Sequence, residues 1–337
     1  MHKIVLVTHN GIGNTGGVER VCFYLKQILS EKYNVEIFEK KKYSFGKMNI
    51  FIIPLIISLK LFFQKNKFVI SNSWQLFPYC SDLSIHHGTT QGCINHISGF
   101  DCFSARVIAK LEAISAKRAK YVLSVSNNCT DELINIYKIP AKKIITLNNF
   151  VDGDLFYPLK KHKENSECVI CFSGRICTRK GIAALLKLSN YIEEIDGIKL
   201  LIACNDKHNI ELFSLNKKTE IKVGLSLNDM NEFYNLGDIF YFPTLYEGFS
   251  MSTLEALSCG LPVLGTKFAI PDELNSYDFC KRTEDLSPKE IIDCAITLYN
   301  KFYNKRFEIH EIINKDFGKE QYSKKLFEII NKRMNNI

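Results

Sequence analysis

Short apolar runs alternate with stretches of helical periodicity along this chain, and the alternation happens twice. In the first half, strand-like runs fall at 4–8, 35–38, 68–71, 83–86, 121–124 and 144–147, with helical patterns at 18–31, 49–63, 104–117 and 129–137. In the second half, strands are expected at 169–173, 199–203, 221–223, 239–242 and 262–265. Helices are expected there at 181–191, 228–236, 252–257, 288–303 and 319–331. Apolar strands separated by helices must pair in parallel, because each crossover helix covers one face of the sheet. Residues 152–166 are polar and turn-rich and read as a linker. The chain is therefore expected to be α/β, with two doubly wound domains facing a central cleft. The expected bounds are 1–152, a linker at 153–166, and 167–318, with a last helix over about 319–337 packing back on the first domain. Clefts between such domains are favoured ligand sites.

Composition narrows the function. With 337 residues, 46% hydrophobic and 24% charged, the chain has the make-up of a globular protein. The net charge of +8 is not gathered in one long basic block, and no nucleic-acid recognition signature appears, so nucleic acid is not an expected partner. Twelve cysteines are scattered through apolar runs. Cys168-Val-Ile-Cys171 has CxxC spacing, but on a strand the two thiols point to opposite faces, so free core thiols are expected. Met1-His-Lys and the short run after it carry no signal-peptide pattern, and a cytoplasmic setting is expected. The apolar stretch 49–63 is too short, and too interrupted by Pro54 and Lys60, to span a bilayer. It reads as a helix buried on the sheet; the other reading is an interfacial helix that would make the protein peripheral on the inner membrane.

The chemistry is concentrated in Glu247-Gly-Phe-Ser-Met-Ser-Thr-Leu-Glu255. The first glutamate sits in a turn at the carboxyl end of a strand, where parallel sheets form ligand crevices. The second sits about two turns up the following helix. Between them, the amides of Gly248, Phe249 and Ser250 lie near a helix N-terminus, an anion site. Two hydroxyl acceptors flanking an anion site suit a ligand with both sugar and phosphate. A second pattern, Phe172-Ser-Gly-Arg-Ile-Cys-Thr-Arg-Lys-Gly181, puts Arg175 and Lys180 at another strand end, suited to a diphosphate. A Gly-rich turn, His9-Asn-Gly-Ile-Gly-Asn-Thr-Gly-Gly-Val-Glu-Arg20, follows the first strand, and Ile85-His-His-Gly-Thr-Thr-Gln91 follows another.

The pair of glutamates resembles the E-x7-E signature of retaining GT-B glycosyltransferases of family 4. Gly174-Arg175 and Lys180-Gly181 match that family's G-R-x4-K-G, Gly16-Gly17-Val-Glu19 its Gly-Gly-x-Glu turn, and Gly260-Leu-Pro-Val263 its G-x-P-V. The resemblance implies the GT-B fold, two Rossmann-like domains with the donor mainly on the second. It assigns Arg175 and Lys180 to the diphosphate, Glu255 to the ribose, and Glu247 with Gly248, Phe249 and Ser250 to the donor sugar and a phosphate. Gly16 and Gly17 would cap the donor pocket. A histidine would approach the sugar from the first domain; His86 aligns with it and His87 is one residue off. Ser124 would face the acceptor, and Glu273 in Ile270-Pro-Asp-Glu273 is a looser match. Phe150 departs from the family's N-G-V-D turn.

The function implied is retaining transfer of a sugar from a nucleotide-diphosphate-sugar, UDP- or GDP-linked, to a glycan or lipid-linked acceptor. No metal and no cofactor are expected, since no convincing Asp-x-Asp stands in a suitable loop and the two cations would neutralise the leaving diphosphate. Retention without an enzymic nucleophile implies front-face attack by the acceptor hydroxyl. A Lys-, Asn- and Ile-rich composition points to a low-GC bacterial source, and in that setting the resemblance implies lipopolysaccharide, O-antigen or other surface-polysaccharide synthesis. Two rival readings stand beside it: a nucleotide-sugar epimerase on the same architecture, and a non-catalytic nucleotide-sugar-binding or membrane-docking subunit.

Overall fold

The computed structural model describes residues 3–8, 16–39, 49–65, 67–72, 76, 78–160, 167–205, 207–214, 216–284 and 286–334. The chain divides into two units, Met1–Asn149 with Tyr322–Ile337, and Phe150–Gln321. The first holds β1 (Lys3–Thr8), α1 (Gly17–Ser30), β2 (Asn34–Glu39), α2 (Asn49–Phe62), β3 (Lys67–Asn72) and β4 (Leu83–His86). It continues with α3 (Thr90–His96), α4 (Phe103–Arg118), β5 (Tyr121–Ser124), α5 (Asn127–Asn135) and β6 (Ile144–Thr146). The second opens with β7 (Cys168–Ser173), α6 (Ile182–Ile192), β8 (Ile198–Cys204), β9 (Thr219–Val223), α7 (Leu227–Leu236) and β10 (Ile239–Phe242). It then runs through α8 (Met251–Ser258), β11 (Val263–Gly265), α9 (Asp272–Asn275), β12 (Cys280–Arg282), α10 (Pro288–Phe302) and α11 (Arg306–Phe317) to the start of α12 (Lys319–Met334).

Each unit is built on a parallel six-stranded sheet, ordered β2-β1-β3-β4-β5-β6 in the first and β12-β11-β10-β7-β8-β9 in the second. The central strands are apolar, as strands covered by helices on both faces must be; β1 runs in register with β3 as Val5↔Val69, both fully buried, whereas the edge strands β2 and β9 are only partly covered. In the second unit the chain winds outward from β7 through β8 to β9, then returns to place β10 on the other side of β7. The loops after β7 and β10 therefore diverge from a switch in winding direction, where open sheets leave a crevice. Aromatic side chains fill the core beneath these loops: the rings of Phe172 and Phe240 are centred 5.8 Å and 5.6 Å from that of Phe242.

Several elements differ from expectation. Residues 304–318 carried no assigned element, yet α11 forms there and buries Ile309, Ile313 and Phe317 at helical spacing. Of the segment 153–166, the first part is held to α7 by side-chain amides. Asn231 Oδ1 accepts from Tyr157 N at 3.1 Å and Asn235 Oδ1 accepts from Leu159 N at 2.8 Å, while Phe156 is 1% exposed. Residues 161–166 lie outside the described residues. Cys168 and Cys171 are both buried and form no disulfide among the described residues. From Tyr322 onward α12 groups with the first unit, where Asn331 Oδ1 accepts from Tyr33 Oη at 2.8 Å.

The helix expected to be buried is buried on one side. Ile53, Ile57 and Leu61 of α2 pack on Val5, Val7 and Val69, but Leu55, Leu59 and Phe62 on its other side are exposed. No helix among the described residues is long and apolar enough to cross a membrane.

Candidate active site

The loop after β7 enters a single 3-10 turn and reaches Gly181, whose φ is +81°. A Cβ there would stand 2.0 Å from the carbonyl oxygen of Pro243, so only glycine lets the β7 loop lie against the β10 loop. Backbone bonds fasten the contact. The carbonyl of Arg179 accepts from Leu245 N at 2.8 Å and from Thr244 Oγ1 at 3.0 Å. Arg179 Nη1 donates to Tyr246 O at 3.1 Å.

Glu247 is the hub of this arrangement. Its Oε1 takes Lys180 Nζ at 2.7 Å and Arg179 Nη1 at 2.5 Å, and Thr244 Oγ1 stands 3.4 Å away. The Lys180 ammonium also lies 4.6 Å from the centre of the Phe242 ring, a cation–π distance. Burial works to raise the Glu247 carboxyl, but Lys180 and then Arg179 outweigh it and hold it below the usual carboxylate range. Burial pulls Lys180 down, with Glu247 opposing. At neutral pH the carboxylate is charged between two cations. An incoming anion would compete with it for the same donors.

The other expected residues of this unit are placed as follows. Arg175 lies exposed on the β7 loop, with no ion pair among the described residues. Ser250 caps α8, its hydroxyl accepting from Thr253 N at 3.1 Å, and Gly248 and Phe249 are buried in the turn before it. Glu255 is 1% exposed and accepts from Tyr234 Oη at 3.0 Å; that same hydroxyl is 2.8 Å from Ser173 Oγ at the end of β7. Glu255 thus braces the base of the loops from inside. Glu273 lies partly buried in α9. The structure brings Glu247 and Lys180 together and adds Arg179, which the motif did not single out. The Arg-Lys pair was visible in the sequence, but nothing local shows that the first of the two turns toward β10.

In the first unit, β4 delivers the two histidines. His86 is fully buried: its Nε2 is 3.1 Å from Ser84 Oγ, and its Nδ1 is 3.6 Å from Glu112 Oε1 on α4. Glu112 also accepts from Tyr137 Oη at 2.6 Å and from Thr90 N at 2.7 Å. Burial works to raise this carboxyl, but His86, Tyr137 and the Thr90 amide together hold it below its ordinary value. His87 begins the turn after the strand and is only partly covered, though its Nε2 is buried with no hydrogen-bond partner among the described residues. Burial, and then the neighbouring His86, push its imidazole down to about 4, so it is neutral at physiological pH. Glu112 escaped the sequence reading; its signal is a carboxylate in register with Ala105, Ala109 and Ala116 on the buried stripe of α4.

Gly16 caps α1 in an extended conformation, with the Glu19 carboxylate folded over it, and Gly17 is the first residue of the helix. The rest of the Gly-rich turn, residues 9–15, lies outside the described residues. Ser124 is fully buried, and its hydroxyl is taken up by Thr130 and Thr146. No group of three or more His, Cys, Asp or Glu among the described residues is placed to hold a metal ion.

Residues 157–283 match the family model described as Glycosyl transferases group 1, a little over a third of the chain, and the β7 and β10 loops fall inside the match. Among curated proteins, one component of the human phosphatidylinositol N-acetylglucosaminyltransferase is 24% identical over 312 residues, covering 81% of this chain and 64% of the relative. The O-antigen chain mannosyltransferase RfbU of Salmonella typhimurium is 27% identical over 223 residues, 60% of each chain. The chain thus spans less than two thirds of the length of either relative. Among solved structures, the sucrose-phosphate synthase of Thermosynechococcus elongatus superposes with a TM-score of 0.81 at 13% identity, over 100% of both chains. The Anabaena protein HepE, solved with UDP and glucose, superposes with a TM-score of 0.73 at 16% identity, over 98% of this chain and 100% of its own. The two parallel six-stranded sheets with their helices are the GT-B fold.

Proposed function

We propose that this chain is a retaining, metal-independent glycosyltransferase of family 4 that moves a sugar from a nucleotide-diphosphate-sugar to a glycan or lipid-linked acceptor. The observation that carries the reading is Glu247 clamped by Lys180 and Arg179 where the winding of the second sheet reverses. The donor's diphosphate would draw Lys180 away from Glu247, and exposed Arg175 would close on it in bidentate fashion. These two cations would stabilise the diphosphate as it leaves, the task a metal performs elsewhere. Glu247, released from one cation, would accept hydrogen bonds from hydroxyls of the donor sugar while Arg179 keeps it in place. Glu255, braced by Tyr234, would take the ribose hydroxyls once the turn before α8 opens to the donor. Of the two histidines, His87 is the one assigned to the reacting sugar, because the His86 ring is enclosed by Ser84 and Glu112. The acceptor hydroxyl would attack from the face the diphosphate leaves, retaining configuration.

The relatives named as an O-antigen mannosyltransferase and as part of a phosphatidylinositol N-acetylglucosaminyltransferase favour a lipid-linked or surface-polysaccharide acceptor. The test is a melting-temperature panel with UDP, GDP, ADP and CMP and their sugar conjugates, since a ligand that binds only the folded state raises the melting point. One nucleotide series should shift the wild type and fail to shift Arg175→Ala, whose own melting point stays at the wild-type value. Transfer from that donor should survive a chelator. No shift with any nucleotide, or an equal shift in Arg175→Ala, would overturn the donor site. Turnover of the donor without an acceptor would replace transfer by epimerisation.

A further inference from the structure

Helix α2 is apolar on every side, yet the first unit covers only half of it. Ile53, Ile57 and Leu61 are at most 2% exposed against the sheet, and Ser58 Oγ donates to Leu76 O at 3.0 Å to fasten that side. Leu55, Leu59, Phe62 and Phe63 are 48%, 54%, 76% and 80% exposed. At 3.6 residues per turn Leu55, Leu59 and Phe62 fall on one stripe opposite the buried one, half-covered Ile52 and Ile56 extend it, and Phe63 follows directly after the helix. The Phe62 and Phe63 rings meet edge to face, 5.7 Å apart, and close the end of the stripe. Isolated exposed apolar residues are ordinary on a protein surface; a contiguous stripe of large ones marks a contact surface.

Charge identifies the partner. Residues 40–67, which include this helix, carry seven lysines and no Asp or Glu, against a net charge of +8 for the whole chain. Of these, Lys60 and Lys65 are exposed at the C-terminal end of the helix, while Lys67 donates inward to the Leu61 and Gln64 carbonyls. A second copy of the chain would bring the same lysines against one another, which disfavours self-association through this face. An anionic lipid surface offers both hydrocarbon for the stripe and negative charge for the lysines. The helix has 14 residues, roughly 21 Å of rise, well short of a bilayer's hydrocarbon core of about 30 Å, so it can lie on a membrane and not cross it.

We propose that the exposed face of α2 (Leu55, Leu59, Phe62 and Phe63, with Lys60 and Lys65 beside them) docks the protein on an anionic membrane. The docking does not depend on the glycosyltransferase reading. It places the protein where a lipid-linked substrate is found.

The experiment is co-sedimentation of the full chain with vesicles of phosphatidylcholine alone, and of phosphatidylcholine mixed with phosphatidylglycerol. The wild type should pellet with the mixed vesicles and lose most of that binding at high salt. Phe62→Ser combined with Phe63→Ser should weaken binding by at least about tenfold, because two large rings no longer reach hydrocarbon. Lys60→Ala combined with Lys65→Ala should weaken binding to the mixed vesicles by about fivefold per lysine and leave binding to phosphatidylcholine alone unchanged. Both variants change exposed side chains, so their melting temperatures should match the wild type and exclude misfolding as the cause. The proposal is overturned if the wild type stays in the supernatant with phosphatidylglycerol vesicles, or if the double Phe variant pellets like the wild type. A dimer seen by sedimentation equilibrium, abolished by the Phe substitutions and accompanied by no vesicle binding, would assign the face to a second copy and overturn it as well.

Discussion

Gly181 and Gly197 provide a matched pair for testing how the two loops of the candidate site are held together. Their φ angles are +81° and +76°, so both occupy the left-handed region. A Cβ at Gly197 would meet nothing within 4 Å, whereas one at Gly181 would meet Pro243 O at 2.0 Å and Pro243 Cγ at 2.9 Å. Alanine at either position carries the left-handed cost of about 1–2 kcal/mol. At Gly181 the methyl group must also displace backbone, which adds about 1–3 kcal/mol as overpacking does elsewhere. Gly197→Ala should therefore lose about 1 kcal/mol and Gly181→Ala about 3 kcal/mol. For a unit of this size the difference corresponds to roughly 4–8 °C in melting temperature. Calorimetry and urea unfolding of the two variants measure it. A further consequence separates Gly181 from a purely structural position. Pushing Pro243 away breaks the bonds from Thr244 and Leu245 to Arg179 O and moves Glu247 off its cations, so Gly181→Ala should also lose the nucleotide-induced rise in melting temperature. Equal destabilisation of the two variants, or a Gly181→Ala protein with full nucleotide binding, would refute the argument that this glycine is there for close approach.

Glu247→Gln should cut sugar transfer at least about a hundredfold while keeping the nucleotide-induced rise in melting temperature, since it removes a group aimed at the sugar and leaves the cations in place; near-normal turnover would sink the assignment. Arg179→Met should lower transfer less than Glu247→Gln and leave the protein folded, because Lys180 still holds the carboxylate; loss equal to that of Glu247→Gln would show that Arg179 contacts the substrate itself. Glu112→Gln should destabilise the protein by about 2–3 kcal/mol at pH 7, the worth of a charged hydrogen-bond acceptor replaced by a neutral one. The folded-state pKa of Glu112 is depressed, so this contribution is fully present above the unfolded value of about 4.3 and disappears as pH falls through the lower folded value. Urea midpoints of the wild type and the variant should therefore converge only in acid, and a gap independent of pH would contradict the assignment.

Much of the architecture was legible because it is written in local order. Apolar runs of three to five residues mark the strands, and the helical stretches between them require parallel pairing. The Gly-Arg and Lys-Gly flanks and the Glu247–Glu255 spacing could be placed at strand ends without knowing which strands are neighbours. What a one-dimensional pattern lacks is adjacency. That β10 lies beside β7, and so brings Glu247 to Lys180, depends on the reversal of winding in the second sheet. Arg179 was one of two adjacent cations until the Gly181 contact turned it toward Tyr246 and Glu247. His86 and His87 differ by one position in sequence, and only the packing of α4 decides which ring Glu112 and Ser84 enclose. Helix α2 shows the limit most plainly. Its periodicity could not say which side would be covered, because every side is apolar. By itself the sequence determined the elements and the residue types at their ends, through backbone periodicity and turn chemistry. The tertiary structure alone decided which ends meet and which apolar surface stays in water, because burial is a property of neighbours brought together from distant parts of the chain.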